Sequence, residues 1–189
     1  MSKRRATIER KTGETDIQVD LVIDGEGKAD LETGVPFLTH MLNAFAKHGH
    51  FDLTVKAQGD TTEDIGICLG RAFQQALGDK IGIRRYGNAF IPMDDALAQA
   101  VVDLSNRPHV EFRAAFPTEK VGTFDVELVR EFMVKFAQEA RMNLHIILHY
   151  GDNTHHMIEA IFKAVARALD EATSFDARVK GVPSTKGLL

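Results

Sequence analysis

Alternating polar and apolar residues mark two short strands in the first third of the chain. The segment Thr15 to Ile23 alternates and ends at Asp24-Gly25, a turn signal, and Phe51 to Ala57 alternates again. Between them, Val35 to Lys47 has apolar residues at helical spacing. The pattern therefore predicts a strand, a helix and a second strand in this order.

The same two periodicities recur further along the chain. Apolar residues at helical spacing predict amphipathic helices over Glu63 to Leu77 and over Met157 to Ala172. Strands are predicted over Ala98 to Leu104 and Val110 to Ala115, which are separated by the turn residues 105–108. Strands and helices thus occur in both halves, which indicates an α+β protein with sheets packed against helices.

Three segments of the first half resemble segments of the second half in the same order. The match of 63–73 with 159–169 includes a glutamate, an Arg-Ala pair and the phase of the apolar residues, and each of the three matches is weak by itself. Because the order is kept, we expect an internal duplication. The predicted architecture is a single domain over residues 1–189, made of two pseudo-equivalent halves of about 1–90 and 91–189. The matched pairs are 18–21 with 100–104, 40–46 with 131–137, and 63–73 with 159–169.

Composition narrows the class of protein. The chain has 189 residues, 44% of them hydrophobic, which is enough for a sizeable core. Its net charge of -4 and the lack of a basic run beyond the first five residues argue against a nucleic-acid face. No apolar run approaches the roughly 20 residues of a membrane span, so we expect a cytoplasmic protein. The single cysteine, Cys68, lies in an apolar stretch and is predicted to be a buried small hydrophobe.

The sharpest local signal is His155-His156-Met-Ile-Glu159 at the start of a predicted helix. Positions i, i+3 and i+4 of a helix are neighbours, so this spacing predicts one glutamate beside two imidazoles, a typical metal-ligand pattern. The alternative is a polar helix entry with two solvated histidines. The repeat favours the metal site, because His40 is equivalent to Glu131, and Glu63 to Glu159.

Groups suited to an anion occur at three turns. Arg85 and Arg107 stand in glycine- or proline-marked turns, and the loop-like tail 179–189 contains Pro183-Ser-Thr-Lys-Gly187. Together they could hold one phosphate. Each arginine alone is more typical of a structural turn or a surface ion pair, and the tail equally fits a disordered end. It is not a P-loop, because it lacks the preceding glycine and the strand-to-helix context.

Seven motifs, in order along nearly the whole chain, resemble the imidazoleglycerol-phosphate dehydratases of histidine biosynthesis. Taken together they are highly specific. They are Thr12-Gly-Glu14-Thr15, Thr33-Gly-Val-Pro-Phe-Leu-Thr-His40-Met-Leu, Thr62-Glu63-Asp-Ile-Gly-Ile-Cys-Leu-Gly70, Ile91-Pro-Met-Asp94, Asp103-Leu-Ser-Asn-Arg107-Pro108, Asn153-Thr-His155-His156-Met-Ile-Glu159-Ala-Ile-Phe-Lys163-Ala and Pro183-Ser-Thr-Lys-Gly187.

The resemblance implies a fold, an assembly and a cofactor. The fold is a duplicated one akin to the second domain of ribosomal protein S5, assembled as a 24-subunit homo-oligomeric shell with active sites between subunits. The cofactor is Mn²⁺, two ions per active site. Carried over by position, the metal ligands are His40, Glu63, Glu131, His155, His156 and Glu159. Glu131 stands where many members have histidine, but a carboxylate also binds Mn²⁺. His145 also matches a recurrent family histidine but has no partner in the repeat, so it stays outside this set.

The implied activity is a hydro-lyase reaction that converts imidazole glycerol phosphate to imidazole acetol phosphate. The resemblance implies Glu14 as the proton-transferring base, with Asp94, Glu63 and Glu159 as further catalytic carboxylates. The implied partners are this phosphorylated small molecule and further copies of the chain, without nucleic acid or membrane. The implied substrate contacts are Glu14, His40, His48, Arg85, Arg107, Lys163, Ser184, Thr185 and Lys186.

The chain departs from the family at one point. Gly59-Asp60 joins directly to Thr61-Thr62-Glu63, where most members have about seven further residues that include a His-His pair. Three origins stay open: a segment omitted from the written sequence, a deliberate deletion, and a loss in a lineage that no longer dehydrates. The intact motifs on both sides favour the first two. The alternative function is a catalytically impaired variant that acts only as an oligomeric metal-binding shell.

Overall fold

The computed structural model describes residues 4–189, so the first three residues of the predicted domain lie outside the described part. Its elements alternate between strands and helices, as expected for an α+β chain. In order they are β1 (Arg5–Lys11), β2 (Thr15–Val22), β3 (Ala29–Glu32), α1 (Pro36–Gly49), β4 (Asp52–Gly59), α2 (Thr62–Leu77), β5 (Tyr86–Met93), β6 (Ala96–Asp103), β7 (His109–Arg113), β8 (Lys120–Val121), β9 (Phe124–Asp125), α3 (Glu127–Glu139), β10 (Asn143–Tyr150) and α4 (Thr154–Thr173).

Two four-stranded sheets share one topology. The first has the order β1-β2-β4-β3 and the second β5-β6-β10-β7, so in each the fourth strand lies between the second and the third. In both sheets the last pair is parallel and the other pairs are antiparallel. The short β8–β9 hairpin is an addition to the second half. The predicted duplication is therefore confirmed at the level of the fold.

The predicted elements agree with the structure to within a few residues. The helices predicted to start at Val35, Glu63 and Met157 are α1, α2 and α4, and the four predicted strands are β2, β4, β6 and β7. The tail 179–189 has no helix or strand, as expected. The division near residue 90 stays a prediction, and position 90 itself lies within β5.

The helices form a layer between the sheets, and two glycines bring α2 close to α3. A Cβ atom on Gly66 would lie 2.8 Å from the carbonyl oxygen of Phe132, and one on Gly70 would lie 2.5 Å from that of Phe136. Only glycine permits this approach of one helix backbone to another. Cys68, between them, is buried and free, and burial raises the pKa of its thiol to about 11. The prediction of an inert buried cysteine is confirmed.

Candidate metal centre

Three side chains from the two halves of the chain converge between α1 and α4. The Nε2 atoms of His40 and His155 both lie 3.2 Å from Oε2 of Glu159, and the two imidazole centroids are 5.4 Å apart. One donor atom from each residue falls within 4.8 Å of the others. Two imidazoles and a carboxylate at such distances can hold a divalent transition metal. Among the described residues this is the one group of three such side chains.

Local structure fixes these positions. Helix α1 begins with Pro36, which is favoured at a first helical position, and His40 follows one turn later. Asn153 caps α4, because its side chain accepts hydrogen bonds from the backbone amides of His155 and His156. The ring of Phe37 packs edge-on against His155 at 5.2 Å, so the imidazole is held by packing as well as by its backbone.

Glu159 is the anchor of the cluster. It is only 6% exposed, and its second oxygen accepts a hydrogen bond from Lys163, with Nζ 2.6 Å from Oε1. Burial alone raises the pKa of Glu159, but the hydrogen bond and charge of Lys163, and then those of His40, outweigh it and hold the pKa below its ordinary value. The carboxylate is therefore ionised at neutral pH, as a metal ligand must be.

His156 turns away from this cluster. Its Nδ1 lies 2.5 Å from Oδ1 of Asp95, and its Nε2 lies 3.6 Å from Oδ2 of Asp94. Asp95 also accepts hydrogen bonds from the backbone amides of Asp152 and Asn153, so it ties the β5–β6 turn to the start of α4. The hydrogen bond to Asp95 raises the pKa of His156 and lowers that of Asp95. Asp94 was the predicted catalytic carboxylate of this turn, whereas Asp95, which has no predicted role, is the residue that orients His156.

The pseudo-equivalent position, between α2 and α3, has different contents. Glu63 lies 2.9 Å from Nζ of Lys135, and Glu131 lies 3.6 Å from Nη1 of Arg130. The side chains of Glu63 and Glu131 are 46% and 44% exposed, in contrast to Glu159. The structure therefore gives both predicted ligands a cationic partner and brings no histidine to them among the described residues.

The segment that joins β4 to α2 is shorter than the corresponding segment that joins β10 to α4. Both α1 and α3 have the predicted ligand as their fifth residue, His40 and Glu131. In the second half, however, Glu159 follows the last residue of β10 by nine positions and is the sixth residue of α4, whereas Glu63 follows Gly59, the last residue of β4, by four positions and is the second residue of α2. The missing first turn is the one that carries His155 and His156 in α4.

Glu14, the predicted base, lies beside this shorter junction. It is exposed in the turn between β1 and β2 and lines an open cavity of about 490 Å³ together with Asp60, Glu63 and Leu128. The next residue of α2, Asp64, accepts hydrogen bonds at 2.5 Å from both Arg10 and Thr15, which fixes the start of the helix to the sheet. Glu14 and Glu63 are therefore brought together within one chain.

The predicted anion-binding groups converge on Asp103. Arg85 donates two hydrogen bonds to this carboxylate, at 2.7 and 3.1 Å, and a third, at 2.8 Å, to the carbonyl oxygen of Pro183. Arg107 lies 3.9 Å from the same carboxylate, and its side chain is 67% exposed. Arg85 thus fixes the tail, whereas Arg107 presents a free face to solvent.

A buried lysine supports this turn from inside. Lys80 donates hydrogen bonds to the side-chain oxygen of Asn106, at 2.7 Å, and to the carbonyl oxygen of Leu104, at 3.2 Å. Burial, followed by the charge of Arg141, lowers the pKa of Lys80 to about 8. Asn106 has a positive φ of 57°, which places Arg107 after a sharp change of direction. Nothing in the sequence distinguishes Lys80 from an ordinary surface lysine.

The remaining predicted substrate contacts divide between two places. Ser184, Thr185 and Lys186 follow Pro183, and the backbone amide of Lys186 donates to the hydroxyl of Ser184. Lys163 belongs to the cluster at Glu159, as does His48, whose pKa is lowered by burial and by the charges of Lys163 and Arg167. The two places lie at opposite ends of α4, because the backbone amide of Arg85 bonds to the carbonyl oxygen of Ala172.

Comparison with known proteins decides the family. The family model described as imidazoleglycerol-phosphate dehydratase matches residues 33–169, which is well over half of the chain and includes the cluster at Glu159. The chain belongs to the imidazoleglycerol-phosphate dehydratase family. The resemblance of its motifs is thereby confirmed.

Two relatives from this family show how far the similarity extends. The imidazoleglycerol-phosphate dehydratases of Geobacillus sp. (strain WCH70) and Halalkalibacterium halodurans are 72% and 70% identical to this chain, over 98% of the chain and 99% and 100% of their own lengths. Both alignments run over 193 residues, more than the 189 residues of this chain. The relatives therefore contain at least a few residues that have no counterpart here.

Solved structures from the same family share the fold. The crystal structure of imidazoleglycerol-phosphate dehydratase from Staphylococcus aureus subsp. aureus N315 superimposes with a TM-score of 0.85 at 43% identity, and covers 91% of this chain and 99% of that one. The structure from Pyrococcus furiosus in complex with (S)-C348 gives 0.84 at 38%, with 96% and 100% covered. These matches confirm the predicted α+β fold class. No helix among residues 4–189 combines the length and apolar character required to cross a membrane.

Proposed function

We propose that this chain is a hydro-lyase of histidine biosynthesis that dehydrates imidazole glycerol phosphate to imidazole acetol phosphate, as its relatives' names indicate. The observation that supports this most is the cluster of His40, His155 and Glu159, assembled from both halves of a chain that matches the family over nearly its whole length. The proposed setting is the cytoplasm, where small-molecule biosynthesis takes place.

The proposed cofactor is Mn²⁺, and the cluster at Glu159 fits it. The donor set combines two imidazoles with an ionised carboxylate, and nitrogen and oxygen donors of this kind suit Mn²⁺. Bound there, the ion would supply a positive charge that stabilises negative charge developing on the substrate. His40, His155 and Glu159 would hold it, with Lys163 fixing the orientation of the carboxylate.

Proton transfer is assigned to carboxylates of the chain. In the reaction a proton leaves C2, the bond between C3 and its hydroxyl breaks, and water departs, after which the enol becomes the ketone. Glu14 is exposed at the edge of a cavity, so it can reach a bound small molecule and accept the C2 proton. Asp94 is placed near His156 and is assigned to orient or assist.

The phosphate is assigned to the groups around Asp103. Arg107 offers an exposed guanidinium, which binds phosphate in a bidentate manner. Arg85 holds the tail at Pro183, so that Ser184, Thr185 and Lys186 remain close by. Lys163 and His48 are instead assigned to the imidazole end, because they belong with Glu159.

Separation of these two groups within one chain supports an oligomeric active site. His155 lies in the first turn of α4 and Arg85 contacts its last turn, at Ala172, which puts about 25 Å of helix between them. The substrate has only three carbons between its imidazole and its phosphate. We therefore assign the metal centre of one chain and the phosphate-binding residues of another chain to the same active site. This arrangement requires a homo-oligomer, for which the resemblance implies 24 subunits.

An exposed apolar face supports association as well. Four large apolar side chains that lie in strands are solvent-exposed, and all belong to the second sheet: Tyr86, Phe90, Val101 and Tyr150. A soluble single chain seldom leaves so many on one sheet uncovered. Another subunit that covers this sheet would remove them from water.

A second candidate function is favoured by the shorter junction before α2. If the loss of its histidines abolishes turnover, the chain would be an impaired family member that only assembles and binds metal. The two functions differ in one observable, the formation of imidazole acetol phosphate.

The test is a dehydration assay on the purified, Mn²⁺-loaded chain with imidazole glycerol phosphate. We expect metal-dependent formation of imidazole acetol phosphate, and loss of this activity in His155→Ala. His149→Ala is the matched control, because His149 is an exposed histidine on β10 whose ring bonds to the side chain of Gln99. No product from a folded, metal-loaded chain would reject the proposed activity and favour the impaired variant.

A further inference from the structure

The two pseudo-equivalent positions differ in the donors that they offer to a metal. Between α1 and α4 there are two imidazoles and one nearly buried carboxylate. Between α2 and α3 there are two carboxylates, those of Glu63 and Glu131. The difference arises from length as well as from sequence, because the turn of helix that carries His155 and His156 in α4 has no counterpart in α2.

The charges around these two positions also favour a metal ion at Glu159 over one at Glu63 and Glu131. Glu159 shares its carboxylate between Lys163 on one oxygen and two imidazoles on the other, so that a metal at the imidazoles would meet an oxygen free of the ammonium. Glu63 has the ammonium of Lys135, and Glu131 has the guanidinium of Arg130, and no imidazole of residues 4–189 pairs with either carboxylate. Two fixed positive charges beside two exposed carboxylates already balance them, which lowers their attraction for a divalent cation.

We infer that this chain binds one metal ion per chain, at His40, His155 and Glu159, and that the position of Glu63 and Glu131 holds none. The residues do not fit the second ion that the family implies. The cations Lys135 and Arg130 take its place as counter-charges for the two glutamates. The inference rests on the proposed function only for the metal at Glu159.

A second subunit could bring a histidine to Glu63, and His156 is the available candidate. In this chain its Nδ1 is held by Asp95 at 2.5 Å, and its Nε2 lies 3.6 Å from Oδ2 of the exposed Asp94. Even with this donor, the position would have a single imidazole, half the number found at Glu159 in one chain. The experiment therefore includes His156.

The measurement is the manganese content of the assembled, dialysed protein, with an intact mass of 20.9 kDa per chain as the check that the sequence is as written. The pseudo-symmetry supplies matched pairs of variants: His40→Ala with Glu131→Ala, and Glu159→Gln with Glu63→Gln. Circular dichroism of each variant shows whether it is folded. We expect one ion per chain in the parent, a loss of at least tenfold in metal affinity in the first member of each pair, and an unchanged content in the second member.

The outcomes separate the inference from the proposed function. Two ions per chain, with one of them lost in Glu63→Gln or His156→Ala, would overturn the inference and leave the proposed function intact. A content near zero in the parent would overturn the metal centre at Glu159, and with it the cofactor in the proposed function. Both readouts are independent of turnover.

A gain-of-site variant gives a further test. Inserting between Asp60 and Thr61 the His-His segment that the resemblance to the family motif implies would extend α2 by the turn that α4 has. We expect the metal content to rise from one to two ions per chain, and Glu63→Gln on this background to lower it again to one. If the insertion variant folds and still binds one ion, the shorter junction is not what limits binding and the inference is wrong.

Discussion

Nε2 of His40 lies 3.2 Å from Oε2 of Glu159, although the two residues are 119 positions apart in the sequence. This contact joins the first half of the chain to the second through α1 and α4. The carboxylate of Glu159 is almost fully buried, and it contacts the partly exposed rings of His40 and His155. Folding of the two halves against each other is therefore what assembles the candidate metal centre.

Replacing the proposed base should slow the chemical step. Glu14→Gln keeps the size of the side chain but cannot accept a proton, so we expect kcat to fall about 100-fold or more, with little change in metal content. Steady-state kinetics check this, and Glu9→Gln, an exposed glutamate on β1, is the control. Full turnover in Glu14→Gln would assign the proton transfer to another group.

Replacing the exposed arginine of the turn after β6 should weaken substrate binding. Arg107→Ala removes a charge-assisted contact to phosphate, worth about 1.5–3 kcal/mol, so we expect KM to rise about tenfold or more while kcat changes little. Arg113→Ala, on β7 of the same sheet and also exposed, is the matched control. Equal effects in the two variants would count against a phosphate site at Asp103.

The buried Lys80 should make stability depend on pH. Below pH 8 the folded and unfolded states both hold the proton, and the cost of burying the ammonium is complete. Between about 8 and the ordinary pKa of 10.5 the folded state loses its proton first, so this cost is relieved as the pH rises. Urea unfolding at pH 7.5 and pH 10 should show the parent gaining stability relative to Lys80→Met. Parallel changes in the two proteins would contradict the lowered pKa.

Removing the metal should reduce the size of the assembly. If the ion binds only where subunits meet, it stabilises the assembled state by mass action, so Mn²⁺-loaded protein should elute earlier than chelator-treated protein in size-exclusion chromatography. His40→Ala should elute late under both conditions. Identical elution of Mn²⁺-loaded and chelator-treated protein would show that assembly does not depend on the metal.

Much of the fold was predictable from local pattern. The period of apolar residues gave α1, α2 and α4 because each buries one face, and the internal repeat indicated two sheets of the same topology. Strands β1, β3, β5 and β10 were not assigned, and α3 was indicated only through the overlay of residues 131–137 on α1. The β8–β9 hairpin has two residues in each strand, too few for a period to show.

The metal centre was predictable in part. Helical spacing identifies His155 with Glu159, and the repeat added His40, because neither signal depends on tertiary contacts. The same spacing predicted Glu159 beside His156, but this imidazole turns to Asp95, a residue brought there by the β5–β6 turn. Lys80 and the pairing of Lys135 with Glu63 depend on packing between distant segments, which residue patterns do not record.

The glycines at positions 66 and 70 indicate how the helix pair α2–α3 differs in dynamics from the pair α1–α4. They lock α2 against the backbone of α3, so this helix pair is held by close contact that needs no ion. The pair of α1 and α4 additionally carries the titratable contact between His40 and Glu159. Local opening should therefore be asymmetric: amide hydrogen exchange around His40 and Glu159 should slow when metal binds, whereas exchange in α2 and α3 should stay the same. One of two pseudo-equivalent helix pairs would then respond to metal supply while the other pair stays constant.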